Sequence, residues 1–210
     1  MTTDIDLRIY IITDASFGKS HEEVAEAAII GGATVIQMRD KHMSPDAFLK
    51  TAERIRSITA DAGVAFIVND RVDIAIKTAA DGIHIGQDDM PIDQVKGMIP
   101  DGMCLGLSVS DLSQAVKARA LGPSYMGVGP VFPTDSKKDA ASPLGTDILK
   151  EIVDIADVPI VAIGGITESN LKIVIDAGVN GAAVIKEVAG AEDMVGATRR
   201  LSDIWRRCGH

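Results

Sequence analysis

Short apolar runs rich in β-branched residues recur every 20 to 30 residues or so along the chain, and amphipathic stretches separate them. That rhythm predicts repeated strand-then-helix units around a parallel sheet. Eight strands are expected, over residues 8–14, 34–39, 65–69, 82–86, 104–109, 125–129, 159–164 and 181–185, each followed by a helix. Capping chemistry marks several helix starts: Ser20 with Glu23 forms a capping box, Ser44-Pro45 gives an N-cap and an N1 proline, and Thr167-Glu168 opens another helix. Gly31-Gly32, Gly63, Gly122 and Gly178 are placed to close helices. Eight such units fit a closed barrel. An open doubly wound sheet would carry a nucleotide fingerprint after its first strand, whereas Ile12-Thr13-Asp14-Ala15-Ser16 contains no GxGxxG. The expected architecture is therefore a single-domain α/β (β/α)8 TIM barrel over residues 1–210, without a linker or low-complexity tract.

Composition narrows the classes of function. A formal net charge of −9 disfavours nucleic acid and anionic membrane as partners, so any phosphate site must be local. No apolar run approaches the roughly 18 residues that cross a bilayer, and the polar, acidic start is unlike a secretory signal, so a cytoplasmic location is expected. Cys104 and Cys208 are far apart and lack metal-site spacing; Cys104, inside an apolar run, reads as core. Aromatic residues make up only 3%, too few for a site built on stacked rings, and Trp205 reads as packing for the last helix.

Polar residues that break the apolar pattern gather at the C-terminal ends of the strands, the face that carries function in this architecture. In the second strand Gln37, Arg39 and Lys41 are two apart and share a side, with Ile36 and Met38 facing the helices. They suit phosphate binding, or else form a solvated strand end whose charges pair with Asp40 or a neighbouring carboxylate. The third strand ends Asn69-Asp70-Arg71 and the fourth runs on through Gly86-Gln87-Asp88-Asp89. Asp70 and Asp89 are suited to share one Mg²⁺ in an open site, or else cap the helices that follow. His84 takes an inward position, either as a hydrogen-bonded core residue or as a proton-transfer group. Ser108 is similarly placed, and without a His/Asp partner pattern it reads as a hydrogen-bond donor to ligand or barrel.

Strand six sends Gly127 and Gly129 inward, opening the barrel mouth, and a polar loop containing Thr134, Asp135, Ser136 and Lys137 follows. Gly164-Gly165 closes strand seven, where barrels commonly cradle phosphate, although a tight turn explains the pair equally well. Two separate groups of phosphate-directed features suggest two phosphorylated small-molecule substrates. No Ser, Cys or Lys has a base beside it, so covalent catalysis is not indicated.

Five ordered motifs then carry a resemblance over nearly the whole chain: Gln37-x-Arg39-x-Lys41; Asn69-Asp70-Arg71; residues 80–89, ADGIHIGQDD; Gly127-x-Gly129-Pro130-Val131-Phe132-x-Thr134-x-Ser136-Lys137; and Ile163-Gly164-Gly165-Ile166. Together they resemble the thiamine-phosphate synthase family. The resemblance implies transfer of a hydroxymethylpyrimidine group from its pyrophosphate ester to hydroxyethylthiazole phosphate, through a pyrimidine cation. It implies one Mg²⁺ at Asp70 and Asp89, and Arg39, Lys41, Asn69 and Lys137 on the leaving pyrophosphate. Gln37 and Ser108 would orient the pyrimidine with His84 near its ring, and Arg39, Lys41, Lys137, Ser108 and His84 make up the implied catalytic set. Thr134, Ser136, Gly165 and the backbone after Ile185 would take the thiazole phosphate.

Two departures stand out: Lys186-Glu187 replaces the family's usual small Ser after strand eight, and Ser136 stands where Thr is common. Lys186 either adds a cation to the thiazole-phosphate site or turns to solvent with Glu187. The alternatives are a thiazole tautomerase on the same barrel and a non-catalytic thiamine-phosphate binder; the combination of Asp70, Asp89, Arg39, Lys41 and Lys137 argues against both. A homo-oligomer is left open.

Overall fold

In the computed structural model, which describes residues 5–135 and 142–209, eight parallel strands close into a barrel in sequential order, β1 against β8. The strands are β1 (Ile9–Thr13), β2 (Val35–Met38), β3 (Ala65–Asn69), β4 (Gly82–Ile85), β5 (Cys104–Val109), β6 (Tyr125–Val128), β7 (Ile160–Ile163) and β8 (Gly181–Val184). All eight expected strands are present, and the observed ends fall inside or at the expected ones. β2 stops at Met38 because its ladder runs out there, opposite Thr13 and Val68, which leaves Arg39 in the loop beyond the strand end.

Each strand is buried on both faces, which is why it reads as a nearly unbroken apolar run. Tyr10, Ile12, Val35, Ile67, Cys104, Tyr125 and Val161 fill the barrel interior. Ile9, Ile11, Ile36, Met38, Phe66 and Val68 face the helical layer. A fully buried Phe48 or Ile55 in that outer layer stabilises the fold by about 1.5–3 kcal/mol relative to exposure.

The helices outside are α1 (His21–Gly31), α2 (Pro45–Ala62), α3 (Val72–Lys77), α4 (Ile92–Met98), α5 (Leu112–Leu121), α6 (Gly145–Ile155), α7 (Leu171–Asp176), α8 (Lys186–Ala189) and α9 (Met194–Cys208). The Ser20–Glu23 capping box on α1 and the Ser44 cap with Pro45 on α2 form as the sequence predicts. Gly32, Gly63 and Gly122 close their helices in the left-handed conformation, and Gly178 follows α7 with φ 91°. Trp205 is buried where α9 packs on the barrel.

One helix start differs from expectation. Thr167-Glu168 does not open α7, which begins three residues later, after a turn at 168–170. The side chain of Asn170 braces that turn: its Oδ1 accepts from the Thr167 N–H at 2.8 Å while its Nδ2 donates to the Gly165 carbonyl at 2.9 Å. The turn is thereby tied to the end of β7, and the Thr167 carbonyl accepts the Leu171 N–H at 3.0 Å as the helix begins. No helix among the described residues is long and apolar enough to cross a membrane.

Candidate active site

At the C-terminal end of the strands the barrel opens into a cavity of about 830 Å³. Arg39, Lys41, Asn69, Asp70, Asp89, Ser108, Thr134, Gly165, Ile185 and Lys186 all line it, so residues up to about 150 positions apart meet around one space. Gln37 and His84 are not in the lining; they sit deeper in the barrel. Ser136 and Lys137 lie outside the described residues.

One wall is built from charged side chains at the ends of β2, β3 and β4. Asp70 has a left-handed backbone, φ 61°, which Asp tolerates better than most residues, and its N–H donates to the His84 carbonyl at 2.9 Å. It does not cap α3, whose N-cap Arg71 makes no side-chain capping bond. Nor does Asp89 cap α4: its Oδ2 accepts from the Gly86 N–H at 2.7 Å, and the N-cap there is Pro91. The helix-capping alternative therefore fails for both carboxylates. They lie against each other instead. Burial, followed by the hydrogen bond and like charge of Asp89, pushes the Asp70 carboxyl up to about 6, while Lys41 and Arg39 pull in the other direction.

The cations beside this pair remain available to a ligand. Among the described residues no carboxylate lies within ion-pair distance of Arg39 or Lys41. Asp40, the partner that a solvated strand end would use, is engaged elsewhere. Its Oδ1 accepts from the backbone N–H groups of His42 at 2.7 Å and Met43 at 2.8 Å, and its Oδ2 meets His21 Nε2 at 3.3 Å. Burial raises the Asp40 carboxyl, but these bonds outweigh it and leave the group below its ordinary range. Arg71 clamps the same loop by donating to the Met43 carbonyl at 2.6 Å and stacking 4.4 Å over Phe48. The loop that carries Arg39 and Lys41 is thus held from both sides.

The opposite wall is mostly backbone. Gly164 and Gly165 have φ of 97° and 65°, and a Cβ on Gly165 would stand 2.7 Å from Phe132 Cβ. The loop after β6 lies against this turn, with the Phe132 N–H bonded to the Gly164 carbonyl at 3.0 Å. Lys186, the first residue of α8, is exposed and borders the cavity. Glu187 is not its partner, since Glu187 Oε1 accepts the Glu168 N–H at 2.9 Å.

Beneath the floor a continuous run of side-chain hydrogen bonds crosses the barrel. Gln37 Nε2 donates to Tyr10 Oη at 2.7 Å, Tyr10 Oη meets Tyr125 Oη at 2.7 Å, Tyr125 Oη meets His84 Nδ1 at 2.9 Å, and His84 Nε2 meets Ser108 Oγ at 2.8 Å. Burial raises both tyrosine hydroxyls well above their ordinary value, so both remain protonated. Burial also pushes the Cys104 thiol up to about 12, in keeping with a core residue that does not act as a nucleophile.

Sequence reasoning missed Tyr10 and Tyr125, although they are the only tyrosines in the chain. The available signal was register: Tyr125 shares the inward face of its strand with Gly127, and a buried hydroxyl needs a partner. Phe17, Gln87, Ser110, Gln114 and Arg200 also border the cavity without having been predicted. Arg200 is paired with Glu168 at 2.8 Å, and Gln114 Oε1 accepts from the Ser110 N–H at 2.9 Å.

The family model for thiamine monophosphate synthase matches residues 9–188. A thiamine-phosphate synthase of Chloroflexus aurantiacus is 48% identical over 199 residues, covering 94% of this chain and 92% of the relative. One from Methanoculleus marisnigri is 45% identical over 197 residues, covering 93% of each. The solved structure of thiamine phosphate pyrophosphorylase from Pyrococcus furiosus superposes with a TM-score of 0.91 at 39% identity, covering 97% of this chain and 98% of that one.

Proposed function

The chain belongs to the thiamine monophosphate synthase family, and on that footing we propose how its site divides the work of the reaction. The protein is a transferase that joins hydroxymethylpyrimidine pyrophosphate to hydroxyethylthiazole phosphate, giving thiamine phosphate and pyrophosphate. The bond from the pyrimidine methylene carbon to the pyrophosphate oxygen breaks first, and the electron pair leaves with pyrophosphate. The thiazole ring nitrogen then donates its lone pair to that carbon. Positive charge passes from the pyrimidine cation to the thiazolium, and no proton need move.

The observation that carries this assignment is the Asp70–Asp89 pair beside Arg39 and Lys41, facing a glycine-built turn across one cavity. Two touching carboxylates, one pushed up in pKa by burial and by the other, are a site short of positive charge. No cluster of three or more potential metal-ligating side chains occurs among the described residues. A Mg²⁺ held here would therefore take two carboxylates and fill its remaining positions with water and pyrophosphate oxygens, an arrangement this ion favours. One such ion per site would supply positive charge to the departing pyrophosphate. Arg39, Lys41, Asn69 and Lys137 serve the same anion, with Arg39 able to bind its oxygens in pairs. Preformed donors aimed at charge that grows only as the bond breaks lower the barrier rather than merely tightening binding.

Ser108 meets the pyrimidine directly, while Gln37 and His84 act from beneath the floor. Thr134, Ser136, Gly165, Lys186 and the backbone after Ile185 take the thiazole phosphate. On this reading the site belongs to a single barrel domain over residues 1–210. Net charge and the lack of a long apolar helix among the described residues support a cytoplasmic enzyme of diffusible substrates that engages neither nucleic acid nor membrane; a homo-oligomer is compatible with this. A tautomerase would need a histidine free to exchange protons with its ligand, yet both ring nitrogens of His84 already have protein partners.

The test is formation of thiamine phosphate from the two substrates, with Mg²⁺ present and then removed by chelation. Product that disappears on chelation and returns with added Mg²⁺ supports the reading. Turnover indifferent to the metal overturns the roles given to Asp70 and Asp89.

A further inference from the structure

The run of bonds beneath the floor has a direction. Gln37 Nε2 is a donor that cannot accept, and in the arrangement that spends one proton on each link Tyr10, which receives it, sends its own hydroxyl proton onward to Tyr125. Tyr125 has then accepted one bond, and its proton points to His84 Nδ1, which in this arrangement is the bare nitrogen. The imidazole proton consequently lies on Nε2 and is given to Ser108 Oγ. The Ser108 hydroxyl accepts this bond, leaving its own proton to point elsewhere, and Ser108 borders the cavity.

We propose that Tyr10 and Tyr125 are positioning residues, which together with Gln37 fix His84 as its Nε2–H tautomer and commit the Ser108 hydroxyl to donate into the cavity. The inference rests on the reading of Ser108 as a substrate contact. It predicts that Ser108 meets an acceptor atom of the pyrimidine. With the Gln37 bond unchanged but the other three run in the opposite sense, the Ser108 proton would be used on His84 and the ligand offered only oxygen lone pairs.

The barrel is shaped around this run. A Cβ on Gly106 would overlap both His84 Nδ1 and the Tyr125 ring, and one on Gly127 would stand 2.8 Å from His84 Cε1. Glycines on β5 and β6 thus hollow out the slot that the imidazole fills. The Tyr125 and His84 rings lie 5.5 Å apart between centroids, and the Tyr10 and Tyr125 rings 6.1 Å. Gln87 Nε2 donates to the Ser108 carbonyl at 2.6 Å and so holds the serine backbone. The remaining freedom at Ser108 is the direction of its hydroxyl, which is the property the run controls.

The first measurement is the tautomer of His84 in substrate-free protein, by nitrogen NMR of histidine-labelled enzyme with His84→Gln for assignment. It is independent of the reaction, so failure of the synthase reading would not disturb it. A bare Nδ1 with a protonated Nε2 is expected; the opposite tautomer overturns the proposal. The second is a double-mutant cycle. Tyr125→Phe keeps the ring and removes the hydroxyl, and it should lower kcat about tenfold, the equivalent of one well-placed hydrogen bond, with KM for thiazole phosphate unchanged. In a Ser108→Ala background the same change should have no further effect on kcat, because its influence passes through the serine. A Tyr125→Phe loss of the same size in both backgrounds reduces Tyr125 to packing and refutes the relay.

Discussion

The two walls of the cavity use opposite chemistry. The wall over β2 to β4 consists of side chains that carry charge: Arg39, Lys41, Asp70 and Asp89. The wall at β7 and β8 is largely backbone, opened by Gly164 and Gly165 and edged by Lys186. On the proposed function, one faces an anion whose charge grows as a bond breaks, the other a phosphate that stays unchanged through the reaction. A charge that appears only in the transition state rewards strong, fixed side-chain charges, whereas a spectator phosphate needs only to be held. The first wall should therefore govern kcat and the second KM, and the sharpest tests attack each wall by the route its chemistry leaves open.

Removing a carboxylate is the most damaging change. Asp89→Ala is expected to lower kcat by about 10²–10³-fold, the range seen when one transition-state electrostatic contact is lost. KM for thiazole phosphate should change little. Single-turnover kinetics at saturating substrate with a Mg²⁺ titration would check this, and an unchanged kcat would remove Asp89 from the mechanism.

The backbone wall offers no side chain to delete, so it is broken by adding one. Gly165→Ala places a methyl at φ 65° against the Pro133 carbonyl and Phe132 Cβ. The left-handed backbone alone costs about 1–2 kcal/mol, equivalent to a fall of about 2–4 °C in Tm for each kcal/mol in a chain of this size. KM for thiazole phosphate should rise more than kcat falls, because the turn that borders the phosphate would shift. A kcat loss with KM intact would contradict the division between the walls.

How much of each wall could be read from the sequence follows from the same contrast. Charged residues at strand ends stand out against apolar runs, so Arg39, Lys41, Asp70 and Asp89 were visible, as was the barrel itself, whose strands repeat with regular spacing. The backbone wall was less legible because a glycine pair also makes an ordinary turn; only its distances to Phe132 and Pro133 separate the two readings. The turn at 168–170 was hidden, since a Thr-Glu pair looks like a helix start and the regular helix begins only at Leu171. Tyr10 and Tyr125 were hidden most deeply. Their role depends on partners from three other strands, and no local pattern records that. Ser136 and Lys137, which resemblance alone places at the site, lie outside the described residues.

The charged wall also predicts a pH dependence of stability. In metal-free protein the Asp70 carboxyl sits at about 6, above its ordinary value of 3.8, so the native state holds this proton more tightly than the unfolded chain does. That stabilisation is fully present below the unfolded pKa and is lost as pH rises through about 6. With a chelator present, Asp70→Asn should therefore be more stable than wild type above pH 6, and the gap should close as pH falls toward 4. Thermal melts across that window would show it, and a gap that does not vary with pH would mean that Asp70 is not buried against Asp89. At neutral pH added Mg²⁺ should stabilise wild type and leave Asp70→Asn little changed, by linkage.

The smallest expected effect lies at Lys186, a cation that edges the backbone wall. Its ammonium is exposed, so solvent and salt screen it, and an exposed charge contributes at most about 1 kcal/mol. Lys186→Ser should raise KM for thiazole phosphate by no more than about fivefold, leave kcat unchanged, and reduce the dependence of that KM on salt. Initial-rate kinetics at two ionic strengths would separate the cases. If kcat fell instead, the cation would be reaching charge that develops during the reaction, and Lys186 would belong with Arg39 and Lys41 on the leaving-group side rather than with the glycines beside it.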